Sequence, residues 1–149
     1  MVQNEIIRVL LAEDDDEDRM VFLEALDSLK IKTAVQTVDN GAALIKHLHD
    51  SNSIIPHLLF LDLNMPKKSG LECLVEIKQM ERLKNLTIVI YSTSSSDKDI
   101  EETFLNGANI YLNKPSHFTV LKKTLLHILT INWQYHTSGL NRDNFLLHI

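Results

Sequence analysis

The sequence predicts an α/β fold: a doubly wound, five-stranded parallel sheet of the flavodoxin-like type, with strand order 2-1-3-4-5 and helices on both faces. Residues 6–12 and 58–61 are apolar at nearly every position, which is typical of strands that are covered on both sides. Five strand-like runs alternate with five helix-like stretches, and no repeat or low-complexity linker interrupts them. Such alternation favours βαβ units and hence a parallel sheet.

The size and composition of the chain limit its function. Its 149 residues are enough for one domain with a real core, predicted over residues 1–131. A formal charge of -5 offers no basic surface, so nucleic acid is not an expected partner. No apolar stretch approaches the roughly 20 residues that span a bilayer, so no membrane association is expected. Cys73 is the only cysteine, so no internal disulfide can form, and the cytoplasm is the expected location.

The first strand, residues 6–12, runs into six successive acidic residues, 13–18. The next helix carries apolar side chains at the spacing of one helical face, on Phe22, Ala25, Leu26 and Leu29. Asp16 is predicted to cap this helix, since a carboxylate there can accept a hydrogen bond from a free N–H group of the first turn.

Two further acids of this run, Glu17 and Asp18, are expected in the first helical turn, where the positive end of the helix dipole favours carboxylates. Glu13, Asp14 and Asp15 lie too early in the chain for that explanation. Because like charges crowded at a strand end repel, we predict that a positive group that the sequence does not supply lies beside them.

The other strands are predicted at residues 34–38, 58–61, 87–91 and 109–113. The first of these is the most polar and is expected at the edge of the sheet. The third helix is predicted to bury a stripe made of Leu71, Leu74, Val75 and Lys78. Cys73, on the same helix, is expected to be a core thiol. The fourth helix, residues 97–106, has few apolar side chains, so we expect it to be held loosely, with Gly107 at its C-terminal cap.

Polar side chains follow several of these strands at the point where each strand ends. In the expected order the first and third strands are neighbours, so the acidic run 13–15 and Asp62 meet at one edge of the sheet. Ser92 follows the fourth strand and Lys114 follows the fifth, which brings both to the same edge. The sequence therefore places carboxylates, a hydroxyl and an ammonium in one crevice.

Several carboxylates in one crevice form the oxygen-rich site that a hard cation prefers. Mg²⁺ fits best, because it takes one or two carboxylates together with water and a phosphate oxygen. A carboxylate in such a site can act as a nucleophile and form an aspartyl phosphate. Lys114 is suited to pair with the phosphoryl oxygens, and Ser92 to donate a hydrogen bond to one of them. The predicted chemistry is therefore phosphoryl transfer, which needs mainly positioning and charge neutralisation.

The motifs are Glu13-Asp14 after the first strand, Asp62 within Leu-Asp-Leu-Asn-Met-Pro, Ser92, and Lys114-Pro115. With these motifs the chain resembles the receiver domain of two-component response regulators, over about residues 6–131. The resemblance implies that Asp62 accepts a phosphoryl group from a sensor histidine kinase or a phosphotransfer protein. It implies a signalling protein that catalyses its own phosphorylation and dephosphorylation, with no separate enzymatic turnover.

The resemblance also assigns roles within the metal site. Asp14 and Asp62 would ligate Mg²⁺ together with the backbone carbonyl of Asn64, and Glu13 would act through a water molecule. These assignments follow from the positions of the residues in the family's motifs.

The same resemblance implies a conformational switch. Ser92 would be drawn onto a phosphoryl oxygen, and Tyr111 would turn inward behind it. Thr93 is bulkier than the residue often found at its position, which is expected to restrict access of small phosphodonors. The Lys114–Pro115 bond is commonly cis in this family, which would hold Lys114 in the crevice.

The Pro-Lys-Lys-Ser-Gly loop at residues 66–70 and the tail make the chain similar to stand-alone regulators, including those that partner bacterial phytochrome kinases. Residues 132–149 are too few for a DNA-binding or catalytic output domain, so the expected output is contact with a downstream protein. The tail carries large apolar groups, including Trp133, Tyr135 and Phe145. We expect it to dock on its own domain, or across a homodimer interface of the fourth helix, fifth strand and fifth helix.

Three alternative functions are weaker. A phosphatase of the haloacid-dehalogenase type needs a second Asp two positions after the nucleophile, where this chain has Asn64. A flavodoxin-like carrier needs a Gly- and Ser/Thr-rich phosphate loop after the first strand, where the acidic run would repel FMN. A receiver-like protein-binding module that is never phosphorylated ranks second, behind a phosphorylated receiver. It is disfavoured because all the groups that phosphorylation needs are present.

Overall fold

The structure is a computed structural model that describes residues 6–131 and 145–147. Its strands are β1 (Ile7–Ala12), β2 (Thr33–Val38), β3 (Leu58–Leu61), β4 (Thr87–Ser92) and β5 (Ile110–Asn113). Its helices are α1 (Asp16–Asp27), α2 (Gly41–His49), α3 (Gly70–Lys78), α4 (Asp97–Leu105) and α5 (Phe118–Thr130). A single 3₁₀ turn, Glu81–Leu83, precedes β4. All five strands are parallel in the order β2-β1-β3-β4-β5, which confirms the predicted fold class and places β2 at an edge.

Helices cover both faces of the sheet because the central strands carry apolar side chains on both. Along β3, Leu59 and Leu61 belong to one apolar cluster, and Leu58 and Phe60 to the other, as the two-residue period of a strand requires. Buried residues of α2, α3 and α4 complete the first cluster, and those of α1 and α5 complete the second. The site-bearing strand therefore lies in the middle of a packed, two-faced core.

The start of α1 differs by one residue from the prediction. Asp15 is the N-terminal cap, and its carboxylate accepts a hydrogen bond from the Asp18 N–H at 2.9 Å. Asp16, the predicted cap, is instead the first residue of the helix and pairs with Arg19. The helix therefore begins closer to the end of β1 than a cap at Asp16 would imply.

The buried face of α3 also differs from the prediction. The buried residues are Gly70, Cys73, Leu74 and Ile77. Val75 is exposed, because the helix turns Gly70 rather than Leu71 toward the end of β3. Cys73 is fully buried, as predicted for a core thiol, and burial raises the pKa of its thiol to about 11.

Residues 145–147 lie against the outer edge of β5. Phe145 is fully buried, with its ring centroid 5.3 Å from that of Phe104 and 6.1 Å from that of Tyr111. Leu146 forms an isolated parallel bridge with Tyr111, and the Leu147 N–H donates to the Tyr111 carbonyl at 3.1 Å. The other tail residues singled out in the sequence, at positions 133 and 135, lie outside the described part of the chain.

Across residues 6–131 and 145–147, none of the helices combines the length and the apolar character that crossing a membrane requires.

Candidate functional site

The site is built on the edge formed by the carboxyl ends of the strands. Ala12 of β1 is level with Leu61 of β3, and Leu61 is level with Ile90 of β4. The residues that follow Ala12 and Leu61 are Glu13 and Asp62, so these two carboxylates stand on neighbouring strands. The Asp62 N–H donates to the Ala12 carbonyl at 3.1 Å, which fixes Asp62 against β1.

A tight connection from β3 to α3 holds Asp62 in place. Gly70 opens α3, and its N–H donates to the Leu63 carbonyl at 2.9 Å. A Cβ atom on Gly70 would lie 2.2 Å from the backbone oxygen of Asp62, so only glycine permits this approach. Ser69 caps α3 and forms a capping box with Glu72. The start of the helix and the end of the strand are thereby fixed relative to each other.

Three carboxylates converge at this edge. Glu13, Asp14 and Asp62 each place an oxygen atom within 4.8 Å of the others. Glu13 and Asp62 are buried, whereas Asp14 is exposed to solvent. Within the described residues, this is the one group of three or more His, Cys, Asp or Glu side chains close enough to share a metal ion. The structure thus brings together the three carboxylates that the sequence places here.

The chain also supplies a cation of its own, Lys114, beside these acids. Its ammonium nitrogen lies 2.6 Å from a Glu13 oxygen and 3.6 Å from an Asp62 oxygen. A further carboxylate, that of Asp18, lies 2.9 Å away. The backbone N–H of Lys114 donates to the Ser92 carbonyl at 2.8 Å and ties the end of β5 to β4. One nearly buried cation therefore compensates part of the negative charge of the site.

The expected cis bond between Lys114 and Pro115 is wrong, because the bond is trans. Lys114 reaches the crevice without it. Its backbone hydrogen bond to Ser92 and its ion pairs with the carboxylates hold the side chain there.

Burial and charge act in opposite directions on the ionisable groups of the site. Burial disfavours the charged form and raises the pKa of Glu13 to about 7; a hydrogen bond with Asp62 adds to this rise, and Lys114 opposes it. For Lys114, burial lowers the pKa, but hydrogen bonds to Glu13 and Asp18 outweigh burial, so the pKa lies above its usual value. Lys114 therefore stays charged at neutral pH, while Glu13 keeps its proton to a higher pH than a free carboxyl group does.

The residues present fit a divalent cation. Oε1 of Glu13 is completely buried and is paired with the Lys114 ammonium at 2.6 Å. Asn64 stands beside the cluster, with its N–H donating to Asp62 Oδ1 at 3.3 Å. Carboxylate and carbonyl oxygens are the donors that Mg²⁺ prefers. The cluster therefore has the donor chemistry that such an ion requires.

The residues predicted to form the switch lie together at the ends of β4 and β5. Ser92 is fully buried, and its hydroxyl accepts a hydrogen bond from the Ser94 N–H at 3.1 Å. Tyr111 is also fully buried; its hydroxyl donates to the Ser94 carbonyl at 2.8 Å, and burial raises its pKa. Thr93 is exposed at the surface. Tyr111 is thus already turned inward and is connected to the loop that follows Ser92.

Two residues contact the site that the sequence pattern does not assign to it. Arg19 donates to the Glu13 carbonyl at 2.7 Å, and Asp18 pairs with Lys114. The sequence pattern explains Asp18 only as a first-turn carboxylate that the helix dipole favours. One signal points to it: helical side chains lean toward the N-terminus of their helix, and α1 starts at the end of β1. A side chain in the first turn of α1 is therefore directed toward the crevice.

Comparison with known proteins agrees with this architecture. Residues 9–126 match the response regulator receiver domain family. Response regulator Rcp1 of Synechocystis sp. is 34% identical over 119 residues, which cover 77% of this chain and 81% of Rcp1. The probable methanogenesis regulatory protein FilR2 of Methanothrix harundinacea is 34% identical over 123 residues, which cover 80% of this chain and 79% of FilR2.

Solved structures give the same result. The Mn(2+)-bound form of response regulator Rcp1 superimposes with a TM-score of 0.76 at 32% identity, covering 84% of this chain and 93% of Rcp1. The phosphorylated cyanobacterial phytochrome response regulator RcpA gives a TM-score of 0.78 at 30% identity, covering 92% of this chain and 98% of RcpA. The family match spans well over half of the sequence. This chain therefore belongs to the family of response regulator receiver domains, the phospho-acceptor modules of two-component signalling.

Proposed function

We propose that this chain is a response regulator that accepts a phosphoryl group on Asp62 from the phosphohistidine of a sensor histidine kinase or a phosphotransfer protein. The observation that carries the proposal is the placement of Asp62. It is a buried carboxylate at the end of the central strand β3, with two further carboxylates and the ammonium of Lys114 around it. Phosphoryl transfer needs little more than this combination of positioning and charge.

In the proposed reaction a carboxylate oxygen of Asp62 attacks the phosphorus atom of the phosphohistidine. A P–O bond forms as the P–N bond breaks, and the electron pair of the broken bond returns to the imidazole, which takes up a proton. Lys114, 3.6 Å from Asp62, pairs with a phosphoryl oxygen. The Ser92 hydroxyl donates a hydrogen bond to a second phosphoryl oxygen. Attack of water on phosphorus later restores the carboxylate, so the domain catalyses both steps and needs no separate turnover activity.

The groups that we expect to hold Mg²⁺ are Asp14, Asp62 and the backbone carbonyl of Asn64, with Glu13 acting through a water molecule. When bound, the ion neutralises the carboxylates and the charge on the phosphoryl oxygens. The convergence of three carboxylates, two of which are buried, supports this assignment. The Mn(2+)-bound form of Rcp1 supports it as well, since a relative of the same fold binds a divalent ion.

Similarity to RcpA, a phytochrome response regulator solved in its phosphorylated form, supports both the phosphorylation and a phytochrome-type kinase as the donor. We place the reaction in the cytoplasm. The lone thiol of Cys73, buried and without a disulfide partner in the sequence, is consistent with a reducing compartment.

The proposed signal is a shift of Ser92, Tyr111 and α4. Ser92 Oγ accepts a hydrogen bond from Ser94, and Ser94 accepts one from the hydroxyl of Tyr111. If Ser92 turns to the phosphoryl group, its bond to the loop before α4 is lost, and the loop can rearrange. The output is then a protein contact, since the signal reaches the surface at α4 and β5.

We also propose a homodimer through α4, β5 and α5. Helices α4 and α5 expose large apolar side chains: Leu105 is 70% exposed, Phe118 42% and Leu126 43%. Residues 132–149 are proposed to dock on this side of the domain. The buried ring of Phe145 against Tyr111 supports docking on the chain's own β5.

The proposal is tested with Asp62→Asn. The wild-type protein, incubated with Mg²⁺ and a phosphorylated phytochrome-type kinase, is expected to gain a hydroxylamine-sensitive phosphate, and Asp62→Asn is expected to gain none. Asp16→Asn, the same change at an exposed carboxylate, should behave as wild type. Labelled Asp62→Asn would mean that another residue is the acceptor. A wild-type protein that no donor labels would instead support the unphosphorylated binding module.

A further inference from the structure

The Lys114 ammonium lies close to three carboxylates that differ in their exposure to solvent. Glu13, 2.6 Å away, is fully buried. Asp18, 2.9 Å away, has a side chain that is 43% exposed, and it accepts a hydrogen bond from Lys114. Asp62, on which the phosphoryl group is proposed to form, is the farthest of the three at 3.6 Å. In this structure Lys114 is therefore held closer to α1 than to the proposed reaction centre.

The exposure of Asp18 decides which contact Lys114 can give up. A buried carboxylate that loses its only cation pays the full cost of desolvation, whereas a half-exposed carboxylate replaces the lost contact with water. Glu13 therefore keeps Lys114, and Asp18 is the partner from which the ammonium can be released at small cost. Lys114 can turn from Asp18 to a phosphoryl oxygen without leaving the crevice.

We infer that Asp18 is a positioning residue that competes with the phosphoryl group for Lys114 and so weakens the hold of the site on that group. The inference rests on the proposed phosphorylation of Asp62. Two effects of Asp18 have the same sign. Its hydrogen bond to Lys114 must be given up, and its negative charge at the rim of the site repels an incoming phosphoryl dianion. Removing the carboxylate should therefore strengthen the binding of phosphoryl groups.

The test compares Asp18→Asn with Glu17→Gln. Both variants remove one negative charge from the first turn of α1, and Glu17 is exposed, so the pair differs in the contact with Lys114. The probe is beryllofluoride with saturating Mg²⁺, titrated by calorimetry or by the shift in melting temperature. Asp18→Asn is expected to bind beryllofluoride about two- to fivefold more tightly than Glu17→Gln, the range expected for one partly exposed ion pair.

Affinity for Mg²⁺ alone is measured in parallel and should change equally in both variants, because it reports the general loss of charge. Asp18→Ser, which also removes the carboxylate, provides a second variant should Asp18→Asn fold poorly. Equal beryllofluoride affinities in the two charge variants, or weaker binding by Asp18→Asn, would overturn the inference. Failure of the wild-type protein to bind beryllofluoride would instead overturn the proposed phosphorylation, so the two failures are distinguishable.

Discussion

At the scale of single residues, Glu13 is a carboxyl group that the fold removes from water. It is fully buried at the end of β1, next to Asp62, and its carboxylate pairs with Lys114. Burial raises the pKa of Glu13 to about 7, so near neutral pH a proton and a divalent ion compete for the same carboxylate. The metal-free site therefore carries less negative charge than its residues suggest.

The raised pKa of Glu13 predicts how stability depends on pH without Mg²⁺. Because the folded protein binds this proton more tightly than the unfolded chain, the contribution of Glu13 to the free energy of unfolding is fully present below pH 4.5. It is lost as the pH rises through about 7. Thermal melts from pH 4.5 to 8 should show this loss in the wild-type protein, and Glu13→Gln should lack it.

The same shift predicts that the affinity for Mg²⁺ increases across this pH range, since the ion needs the deprotonated carboxylate. If the melting temperatures of the wild-type and Glu13→Gln proteins depend on pH in the same way, the raised pKa of Glu13 is contradicted.

The carboxylates that meet in the site could be expected from the sequence because topology alone aligns them. Once β1 and β3 are neighbours, the residues that follow them share an edge, whatever their side chains do. The contact between Asp18 and Lys114 could not be derived in this way, because it depends on the reach of two side chains and on where α1 starts. A cap at Asp15 instead of Asp16 is a difference of one residue that propensity cannot resolve.

At the scale of secondary-structure elements, the start of α3 and the end of β3 form one unit. The approach of Gly70 to the backbone of Asp62 leaves no room for a side chain. The geometry of the proposed acceptor therefore depends on a residue that takes no part in the chemistry.

Gly70→Ala is expected to lower the free energy of unfolding by about 1–3 kcal/mol, because the new Cβ displaces the Asp62 backbone. It should also weaken Mg²⁺ binding. Ser69→Ala serves as the control: it removes the cap of α3 and should cost about 1 kcal/mol without moving Asp62. Denaturant unfolding with and without Mg²⁺ measures both quantities. Equal Mg²⁺ affinity in Gly70→Ala and wild type would show that the connection is more tolerant than its geometry indicates.

Helix α4 is anchored more weakly than α2. It buries Ile100 and Thr103, whereas four residues of α2 are buried, among them Leu44 and Leu48. Weakly anchored elements open at low free-energy cost and are suited to move in a switch. We expect beryllofluoride with Mg²⁺ to change hydrogen exchange over residues 92–112 several-fold and to leave α2 nearly unchanged. Changes of equal size in both helices would argue against a localised switch.

At the scale of the whole molecule, the alternation of strands and helices was enough to predict the sheet and its strand order. The strands were the easier part, since the central ones are apolar on both faces and permit few other structures. The buried face of α3 was harder. Apolar and small residues occur on several of its sides, and the packing of Gly70 on β3 decides which side turns inward.

The contact of residues 145–147 with β5 predicts a measurable share of the stability. Phe145→Ala should lower the melting temperature, because it empties the space between Phe104 and Tyr111; full truncations of this kind cost up to about 3–5 kcal/mol. Leu105→Ala, which removes an exposed apolar side chain from α4, should have little effect.

Truncation after Ile131 distinguishes the two modes of docking. An unchanged mass in light scattering with a lower melting temperature indicates docking within one chain, and a fall from dimer to monomer indicates an interface. A truncated protein that matches the full-length protein in both would contradict the contribution of the tail.

The contact of residues 145–147 with β5 also affects the tendency of the protein to aggregate at high concentration. The last strand of an open sheet presents unpaired N–H and C=O groups that can recruit a strand from another molecule and start aggregation. In this chain the Leu147 N–H donates a hydrogen bond to the Tyr111 carbonyl, and Phe145 covers the apolar surface beside it. Residues 145–147 thus protect the edge of their own sheet from pairing with a strand of another molecule.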